Sequence, residues 1–274
     1  MVVLDCELAM AGRDPMTSLD TVETSSPFLR LEGIMIQGIG RYSTGIPSLD
    51  GILDGGWPLG RLVEVFGKEA VGKTSLALKA CASVQENGGT AAFVDAERGL
   101  DPNWARAIGV DLTRLLVCQP SCGEDAIEAV RGFINNKVSL VVVDSVAALV
   151  PRVEQEGNMH DVSSMLQARL MSKACRILCP EASAAGTTVL FTNQLRPVEH
   201  VTFGPSDVSS GGNALKYYAS VRIDLAKVGV DGSGPSPGLK LRARVVKSKV
   251  SMPFRSAEFM LGFNGWFSEI KEEA

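Results

Sequence analysis

The segment Gly67–Thr74 constrains the fold of this chain more than any other part of its sequence. It reads GKEAVGKT and fits the pattern G-x-x-x-x-G-K-T of a phosphate-binding loop. An apolar stretch, Leu62–Phe66, precedes the loop, and a helix-forming stretch, Ser75–Ala82, follows it. A loop in this position lies at a helix N-terminus, where unpaired N–H groups and the helix dipole attract anions. The sequence therefore predicts a strand, loop and helix unit that binds a nucleoside triphosphate.

The residue types within the loop suit the chemistry of a triphosphate. Gly67 and Gly72 permit backbone angles and a close approach that a Cβ atom would prevent. Lys73 supplies a positive charge for the β- and γ-phosphates, and the hydroxyl of Thr74 is a ligand for Mg²⁺. The residues predicted to hold ATP here are Gly67, Lys68, Glu69, Ala70, Val71, Gly72, Lys73, Thr74 and Ser75.

Short apolar runs alternate with helical stretches from Ile36 onward. The predicted strands cover residues 62–66, 91–94, 140–143 and 189–191, and the predicted helices cover residues 101–108, 124–133 and 164–179. Continuously apolar strands that alternate with helices are typical of a parallel sheet covered on both faces. The sequence therefore predicts an α/β fold with a mostly parallel central sheet.

The pattern changes after Gly211, where two strand-like stretches flank a turn-rich segment. The stretches cover residues 217–226 and 239–247, and glycine, serine and proline dominate residues 231–238 between them. This arrangement predicts an antiparallel hairpin added to the sheet edge, with residues 257–261 as a further strand.

Residues 1–35 lack this periodicity and collect serine, threonine, aspartate and proline. We expect them to form an arm or oligomerisation segment, and residues 36–274 to form one domain, because 45% hydrophobic residues in 274 suffice for one large core. No apolar run approaches the roughly 18 residues of a membrane span, and Asp5 and Glu7 interrupt the position of a secretory signal. The sequence therefore predicts a cytoplasmic protein with no membrane partner.

Six cysteines raise the alternative of a metal site or a disulfide, because two pairs share the spacing C-x-x-x-C. The pairs are Cys118 with Cys122 and Cys175 with Cys179. Structural zinc sites usually use tighter spacing, and thiols inside the cell are normally reduced and buried. We therefore interpret the cysteines as buried thiols.

The net charge of −4 argues against a simple nucleic-acid coat protein, but the charge is unevenly distributed. Residues 213–255 carry nine basic residues and two acidic ones. A local basic surface can bind phosphates despite an acidic total. For any single one of these residues, a solvated strand face remains an equal alternative.

Polar residues at the ends of three apolar strands are candidates for the chemistry of hydrolysis. Asp144 ends the run 140–143, at the strand end where open α/β sheets bind ligands, so we expect it to hold Mg²⁺. Glu97 follows a second strand and is a candidate for polarising the attacking water, although its spacing also fits a loop carboxylate. Gln194 ends a third strand, where its amide would face the γ-phosphate.

Six segments carry a resemblance to the bacterial RecA recombinase family. They are residues 67–74, 92–97, 100–102, 142–149, 193–196 and 211–222, and the likeness runs in uninterrupted order from Tyr42 to Gly262. The chain resembles a short form of that family, since it ends at Ala274 without the C-terminal domain that helps to capture duplex DNA. The resemblance implies a RecA-type P-loop ATPase core.

The resemblance also implies a DNA recombinase that uses ATP and Mg²⁺. Such a protein would assemble into a helical filament on single-stranded DNA and promote pairing and strand exchange with homologous double-stranded DNA in recombinational repair. A LexA-type repressor and mediator proteins are implied as further partners. A non-catalytic or weakly catalytic paralogue that regulates recombinase filaments is the alternative.

The same resemblance assigns roles to residues outside the phosphate loop. Glu97 would activate water, and Gln194 would sense the γ-phosphate and pass the nucleotide state to a DNA-binding loop. Lys247 and Lys249 would reach across a subunit interface to the neighbour's ATP, so that hydrolysis would depend on assembly. The residues that would contact adenine are Asp101 and Trp104.

The resemblance places the DNA site in two loops, at residues 156–164 and 195–210, and on the helix between them. Arginines there would neutralise phosphates, and apolar side chains would wedge between bases. The implied DNA-binding residues are Met165, Arg169, Ser172, Arg176, Arg196, Val198, His200, Ser210, Gly211, Gly212 and Asn213. One hypothesis is that His160 and His200 bind the DNA backbone more strongly as the pH falls towards about 6.5, and two histidines without a role are the alternative.

Overall fold

The computed structural model of the protein describes residues 39–157, 165–197, 207–232 and 237–270. Its strands are β1 (Arg41–Tyr42), β2 (Trp57–Pro58), β3 (Leu62–Gly67), β4 (Ala91–Asp95), β5 (Leu115–Cys118), β6 (Leu140–Asp144), β7 (Thr188–Pro197), β8 (Asp207–Ser209), β9 (Val221–Asp231), β10 (Gly238–Ser248), β11 (Ser256–Gly262) and β12 (Phe267–Glu269). Its helices are α1 (Pro47–Ile52), α2 (Lys73–Glu86), α3 (Pro102–Ile108), α4 (Gly123–Asn135), α5 (Arg152–Glu156), α6 (Leu166–Ala185) and α7 (Ala214–Tyr218). The arm predicted at residues 1–35 lies outside the described residues.

Nine of these strands form one mixed sheet in the order β12, β11, β10, β9, β3, β7, β6, β4 and β5. From β9 to β5, each strand runs parallel to its neighbours in the sheet. From β9 to β12 the pairing is antiparallel, and β8 adds a short antiparallel pair to β7. The predicted α/β fold, with a mostly parallel sheet and an antiparallel C-terminal extension, is confirmed.

Alternate residues of the central strands enter two apolar layers, one on each face of the sheet. Along β6, Leu140 and Val142 belong to one layer, and Val141 and Val143 belong to the other. The first layer includes residues of α2 and α3, and the second includes residues of α4 and α6. Both faces of these strands are removed from water, which explains why their sequences are continuously apolar.

Among the boundaries that differ from the sequence-based prediction, two have a visible structural cause. Tyr217 lies in α7 instead of a strand, and β9 begins at Val221, because the chain makes one helical turn after the glycine pair before it enters the sheet. The helix α6 continues through Pro180 to Ala185 and ends at Gly186, which adopts the left-handed conformation that terminates helices. Pro180 lies inside the helix, although a proline there removes one backbone donor and crowds the preceding turn.

The strand β5 is the main element that sequence patterns do not predict. It has four residues, and it forms one edge of the sheet. Leu116 and Val117 are 45% and 48% exposed, so the segment lacks the burial that makes the other runs recognisable. None of the helices in the described part of the chain is both long and apolar enough to cross a membrane.

Candidate nucleotide site and nucleic-acid interface

The phosphate loop connects β3 to α2 through two glycines that other residues would not replace easily. A Cβ atom added to Gly67 would lie 2.2 Å from the carbonyl oxygen of Leu225 on β9. Gly72 has a φ of 81° and immediately precedes α2. The first N–H groups of α2, which have no acceptor within the helix, are therefore available at the loop for an anion.

A cavity of about 410 Å³ opens beside this loop. Its volume lies in the range that suits a ligand of nucleotide size. Besides the loop residues 69–75, the lining residues are Glu97, Trp104, Asp144, Ser145, Gln194, Leu239, Leu261, Gly262 and Phe263. Gly67, Lys68 and Asp101, which the sequence predicts as nucleotide contacts, are not among the lining residues.

Thr74 and Asp144 are in direct contact at the cavity. The hydroxyl of Thr74 donates a hydrogen bond to Oδ2 of Asp144 at 2.7 Å, and the hydroxyl of Thr192 donates to Oδ1. Burial raises the pKa of Asp144, although the hydrogen bonds from Thr192 and Thr74 act to lower it. A hydroxyl and a carboxylate are oxygen ligands of the kind that Mg²⁺ takes, with phosphate oxygens and water completing its shell. The donor set of these two residues therefore fits a magnesium ion.

Lys73 begins α2 and turns back over the phosphate loop. Its Nζ donates to the carbonyl oxygens of Gly67 at 3.2 Å and Lys68 at 2.6 Å. Burial lowers the pKa of Lys73, and the negative charges of Asp144, Glu97 and Glu69 oppose that shift. A cation held only by backbone carbonyls can exchange these contacts for phosphate oxygens when a triphosphate binds.

Glu97, Ser145 and Gln194 form a hydrogen-bonded cluster. Glu97 follows β4 and Ser145 follows β6, whereas Gln194 lies within β7, which continues past the predicted strand end to Pro197. Oε1 of Glu97 accepts from the hydroxyl of Ser145 and, at 3.3 Å, from Nε2 of Gln194. The register that pairs Asp95 with Asp144 brings the ends of β4 and β6 together, and β7 lies beside β6. Sequence reasoning does not find the Ser145 contact, because a serine after a strand carries no distinguishing signal.

The loop that carries Glu97 is held by Asp95, the last residue of β4. The carboxylate of Asp95 accepts from the N–H groups of Gly99 at 3.0 Å and Leu100 at 3.2 Å, and from Nε2 of Gln119 at 2.9 Å. Asp95 is buried, so these hydrogen bonds are shielded from water. The position of Glu97 therefore depends on a carboxylate that sequence patterns mark only as a strand end.

Two aromatic side chains line the cavity, Trp104 from α3 and Phe263 from the turn after β11. Nε1 of Trp104 donates to Oγ of Ser75 at 3.0 Å. Asp101 instead caps α3, where its carboxylate accepts from the N–H of Asn103 at 2.8 Å. Flat aromatic faces suit a nucleobase. Sequence reasoning misses Phe263, because only the fold of the antiparallel extension brings it to the cavity.

Lys247 and Lys249, at and just past the end of β10, are not among the residues that line the cavity of their own chain. Nζ of Lys247 donates to the carbonyl oxygens of Lys216 at 2.8 Å and Tyr217 at 2.7 Å, and Nζ of Lys249 donates to Tyr217 at 3.3 Å. Burial, followed by the charges of Lys249 and Arg222, lowers the pKa of Lys247. The contact with a neighbour's ATP stays a prediction, since it requires a second copy of the chain.

The predicted DNA-binding residues of α6 share one face of the helix. Arg169, Ser172 and Arg176 are spaced by three and four residues along α6, which places them in one row. Met165 is the residue just before the helix and has a left-handed backbone conformation. Met165 and both arginines are exposed, and Ser172 is half-buried. This face presents two guanidinium groups, whose charge and geometry suit phosphate oxygens.

The glycine pair after the second loop packs closely against the start of this helix. Gly211 and Gly212 have φ values of 80° and 73°. A Cβ atom at Gly211 would lie 2.7 Å from Val146, and one at Gly212 would lie 2.8 Å from Ala168 on α6. Glycine is therefore required both for the backbone conformation and for the close approach.

The other predicted DNA-binding residues divide by location. The N–H of Ser210 donates to the carbonyl oxygen of Gln194 at 3.3 Å, and Asn213 is exposed just before α7. Arg196 lies on β7. Val198, His200 and His160 lie outside the described residues, so the histidine hypothesis stays a prediction.

The described cysteines are all free thiols. Cys81, Cys122 and Cys175 are buried, as interpreted from the sequence, whereas Cys118 and Cys179 are half-buried. Burial raises the pKa of both Cys81 and Cys175 to about 12, so these thiols stay protonated and unreactive. Within the ranges that the structure describes, no group of three or more His, Cys, Asp or Glu residues is placed to hold a metal ion.

In a comparison with known protein families, the model of the RecA N-terminal domain matches residues 17–268 of the chain. Among similar curated proteins, Protein RecA of Rippkaea orientalis is 50% identical over 231 residues, which are 83% of this chain and 66% of that protein. Protein RecA of Synechocystis sp. is 49% identical over 231 residues (83% and 65%), and that of Picosynechococcus sp. is 45% identical over 245 residues (88% and 70%). The chain thus spans about two thirds of the length of the curated relatives it matches. Because the family match covers most of the sequence, the chain belongs to the RecA N-terminal domain family.

Proposed function

We propose that the chain is a DNA-dependent ATPase that forms filaments on single-stranded DNA and promotes pairing and strand exchange with homologous double-stranded DNA. One observation carries this proposal. The side-chain amide of Gln194 donates to the carboxylate of Glu97 at 3.3 Å. The backbone carbonyl oxygen of Gln194 accepts from the N–H of Ser210, at the end of the second predicted DNA loop. A single residue therefore contacts both the candidate catalytic carboxylate and the candidate DNA-binding segment.

In this proposal ATP binds in the cavity with its triphosphate against the N-terminus of α2. Lys73 leaves the carbonyl oxygens of Gly67 and Lys68 and pairs with the β- and γ-phosphates. Thr74 and Asp144 hold Mg²⁺, which neutralises charge on the phosphate oxygens when bound. Trp104 and Phe263 contact the base by their aromatic faces.

Glu97 acts as the base that orients and deprotonates the attacking water. Its Oε1 is held by Ser145 and Gln194, and among the described residues no hydrogen bond uses Oε2. Because the two hydrogen bonds to Oε1 fix the carboxylate, Oε2 is well placed to accept the proton of a water in line with the γ-phosphate. Lys247 and Lys249 of a neighbouring copy would supply further positive charge, which would make turnover depend on filament assembly.

On the DNA side, Arg169 and Arg176 bind phosphates, and Gly211, Gly212 and Asn213 offer backbone N–H groups to further oxygens. Binding of this kind tolerates any base sequence, and base pairing supplies the specificity of strand exchange. The proposal includes an arm at residues 1–35 for oligomerisation, a core domain at residues 36–274, a cytoplasmic location, and a LexA-type repressor and mediator proteins as partners.

Steady-state ATP turnover with and without single-stranded DNA tests this function. We expect DNA to stimulate the parent protein, and Glu97→Gln to abolish the stimulated turnover while it retains nucleotide binding. Glu86→Gln is the matched control, since Glu86 is exposed at the C-terminal end of α2 and does not line the cavity. Turnover that ignores DNA in the parent would contradict the proposal, and an absence of turnover with intact DNA binding would favour the non-catalytic paralogue.

A further inference from the structure

A row of polar side chains crosses four adjacent strands of the sheet, and none of its members lines the nucleotide cavity. We call it the polar row, and its members are Asn193 on β7, Glu64 on β3, Arg222 on β9 and Lys247 on β10. The register places Glu64 opposite Arg222, and Arg222 opposite Lys247. Asn193 is opposite Phe66, two positions from Glu64 along the same face of β3. Glu64 and Asn193 are completely buried, and Arg222 is 8% exposed.

Glu64 occupies the centre of the polar row and uses both carboxylate oxygens. Oε2 accepts from Nε of Arg222, and Oε1 accepts from Nδ2 of Asn193 at 2.8 Å. The guanidinium of Arg222 also stacks on Phe66, 4.5 Å from the ring centroid. A buried ion pair is often no more stabilising than apolar side chains of the same volume, so stability alone does not account for this arrangement. What the pair does provide is a fixed geometry between three strands.

Asn193 connects this geometry to the DNA side of the molecule. Its Nδ2 also donates to the carbonyl oxygen of Ser210 at 3.0 Å, and its Oδ1 accepts from the N–H of Gln194 at 2.9 Å. Gln194 in turn contacts Glu97. One buried amide therefore holds the end of the second loop and the backbone of the residue proposed to sense the γ-phosphate.

The opposite end of the polar row is Lys247, two residues before Lys249. Lys247 holds the carbonyl oxygens of Lys216 and Tyr217 on α7, the helix that follows the glycine pair. The charges of Arg222 and Glu64 both act on Lys247, since the first lowers and the second raises its pKa. A displacement at Asn193 therefore has a continuous path of contacts and charges to the residue proposed to act on a neighbour's ATP.

We propose that Glu64 is a positioning residue that couples the nucleotide state to the strength of single-stranded DNA binding. When Gln194 moves towards a γ-phosphate, Asn193 moves with it and carries the carbonyl group of Ser210. The carboxylate of Glu64 fixes the amide of Asn193 on one side and passes the change to Arg222 on the other. Glu64 itself contacts neither ATP nor DNA. This inference rests on the function proposed above and specifies how its two sites communicate.

The test compares the affinity for a fluorescently labelled oligothymidylate in the presence of a non-hydrolysable ATP analogue and of ADP. The ratio of the two dissociation constants measures the coupling, which typically lies between about 5- and 150-fold. In the parent we expect a ratio above about tenfold. In Glu64→Gln we expect a ratio close to one, with the affinity for the ATP analogue unchanged. Glutamine offers one acceptor oxygen where Nδ2 of Asn193 and Nε of Arg222 need two, so its amide cannot hold both residues in place.

Arg222→Lys is the second variant, and it decides the question if Glu64→Gln does not fold. Lysine keeps the positive charge but loses the planar Nε–H contact and the stacking on Phe66, so we expect a reduced ratio. Thr188→Val is the matched control. Thr188 is also completely buried on β7 and donates to Pro58 at 2.9 Å, but it lies at the opposite end of the strand from Gln194. Its loss should lower the melting temperature and leave the ratio at the parental value.

The outcomes separate this inference from the proposed function. A parent whose DNA affinity is the same with the ATP analogue and with ADP would overturn the proposed function, and this inference with it. If the parent shows a large ratio, and Glu64→Gln and Arg222→Lys both fold and keep that ratio in full, this inference alone is overturned. A ratio that falls as much in Thr188→Val would also overturn it, since the loss would then follow from general destabilisation.

Discussion

The hydroxyl of Thr74 lies 2.7 Å from Oδ2 of Asp144, and this contact joins the first turn of α2 to the end of β6. The two residues are 70 positions apart in the sequence, and the sheet brings them together. With Thr192 on the other carboxylate oxygen, Asp144 is held by two hydroxyls in a buried position. This geometry orients the carboxylate before any nucleotide arrives.

Replacement of Asp144 by asparagine should raise the stability of the nucleotide-free protein at neutral pH. Burial raises the pKa of Asp144 in the folded state, so the folded protein binds this proton more readily than the unfolded chain, and its stability falls as the pH rises through the raised pKa. Asparagine carries no charge and avoids this loss. Thermal melts from pH 3 to pH 8 should show a higher melting temperature for Asp144→Asn near pH 7 and a difference that shrinks below the ordinary aspartate pKa of 3.8.

The same substitution should weaken Mg²⁺-dependent binding of an ATP analogue by more than about tenfold, because a carboxylate ligand is lost. Asp224→Asn is the control, since burial also raises the pKa of Asp224 but the residue does not line the cavity. Asp224→Asn should also raise the melting temperature near pH 7, and it should bind the ATP analogue as the parent does. Equal Mg²⁺ dependence in Asp144→Asn and the parent would contradict the assignment of Asp144 to the metal.

Replacement of Ser75 by alanine should loosen Trp104. The hydroxyl of Ser75 accepts the indole N–H at 3.0 Å, and its loss leaves a half-buried donor without that partner. A hydrogen bond of this kind contributes about 1 kcal/mol, which corresponds to roughly fivefold weaker nucleotide binding if Trp104 contacts the base. The tryptophan emission change on addition of an ATP analogue should also shrink.

Trp104→Phe provides the reference for that emission signal, since it retains an aromatic face and leaves only the buried Trp57 and the exposed Trp266 as emitters. If nucleotide addition changes the emission of Trp104→Phe as strongly as that of the parent, the signal does not come from Trp104, and the predicted base contact is wrong.

Local sequence signals were sufficient to predict the phosphate loop, the strands of the parallel sheet and the polar residues at their ends. Strand ends of a parallel sheet meet at one edge, so Asp144, Glu97 and Gln194 could be expected to converge without knowledge of any distance. The contacts that hold these residues could not be predicted in this way. Ser145 and Asp95 act through hydrogen bonds whose partners depend on the register between strands.

Contributions from the antiparallel extension were even less accessible to sequence reasoning. Phe263 and Leu239 line the cavity only because β9 pairs with β3 and carries the hairpin alongside the phosphate loop. The ion pair between Glu64 and Arg222 could not be predicted either. A single charged residue in an apolar stretch argues against a buried strand as readily as it indicates a buried ion-pair partner. Long-range register, more than residue type, decides these roles.

Removal of the two arginines on the exposed face of α6 should reduce the salt dependence of single-stranded DNA binding. Each phosphate contact contributes about 0.7 to the slope of the logarithm of affinity against the logarithm of salt concentration. The double variant Arg169→Ala/Arg176→Ala should therefore lose about 1.4 from this slope, measured by anisotropy between 50 and 300 mM salt. Lys137→Ala is the control, because Lys137 is exposed and precedes β6, whereas the site lies at the C-terminal end of that strand. An unchanged slope in the double variant would place the phosphates elsewhere.

Gly212 and Gly186 provide a matched pair for the close approach of the second loop to α6, since both have a φ of 73°. Alanine at either position bears the strain of the left-handed conformation, which costs about 1 kcal/mol. At Gly186 nothing lies within 4 Å of the added Cβ, whereas at Gly212 the Cβ would lie 2.8 Å from that of Ala168. Gly212→Ala should therefore lose a further 1 kcal/mol or so of unfolding free energy, or displace the glycine pair from α6.

In either case Gly212→Ala should weaken single-stranded DNA binding, because the N–H groups proposed to bind phosphates shift relative to Arg169 and Arg176. Gly186→Ala should leave that affinity at the parental value, since Gly186 ends α6 at the opposite end from the glycine pair. Urea unfolding and oligothymidylate binding of the two variants measure the two effects separately. If both variants lose the same stability and the same affinity, the contact with Ala168 does not matter, and the glycine pair has no specific role in the DNA site.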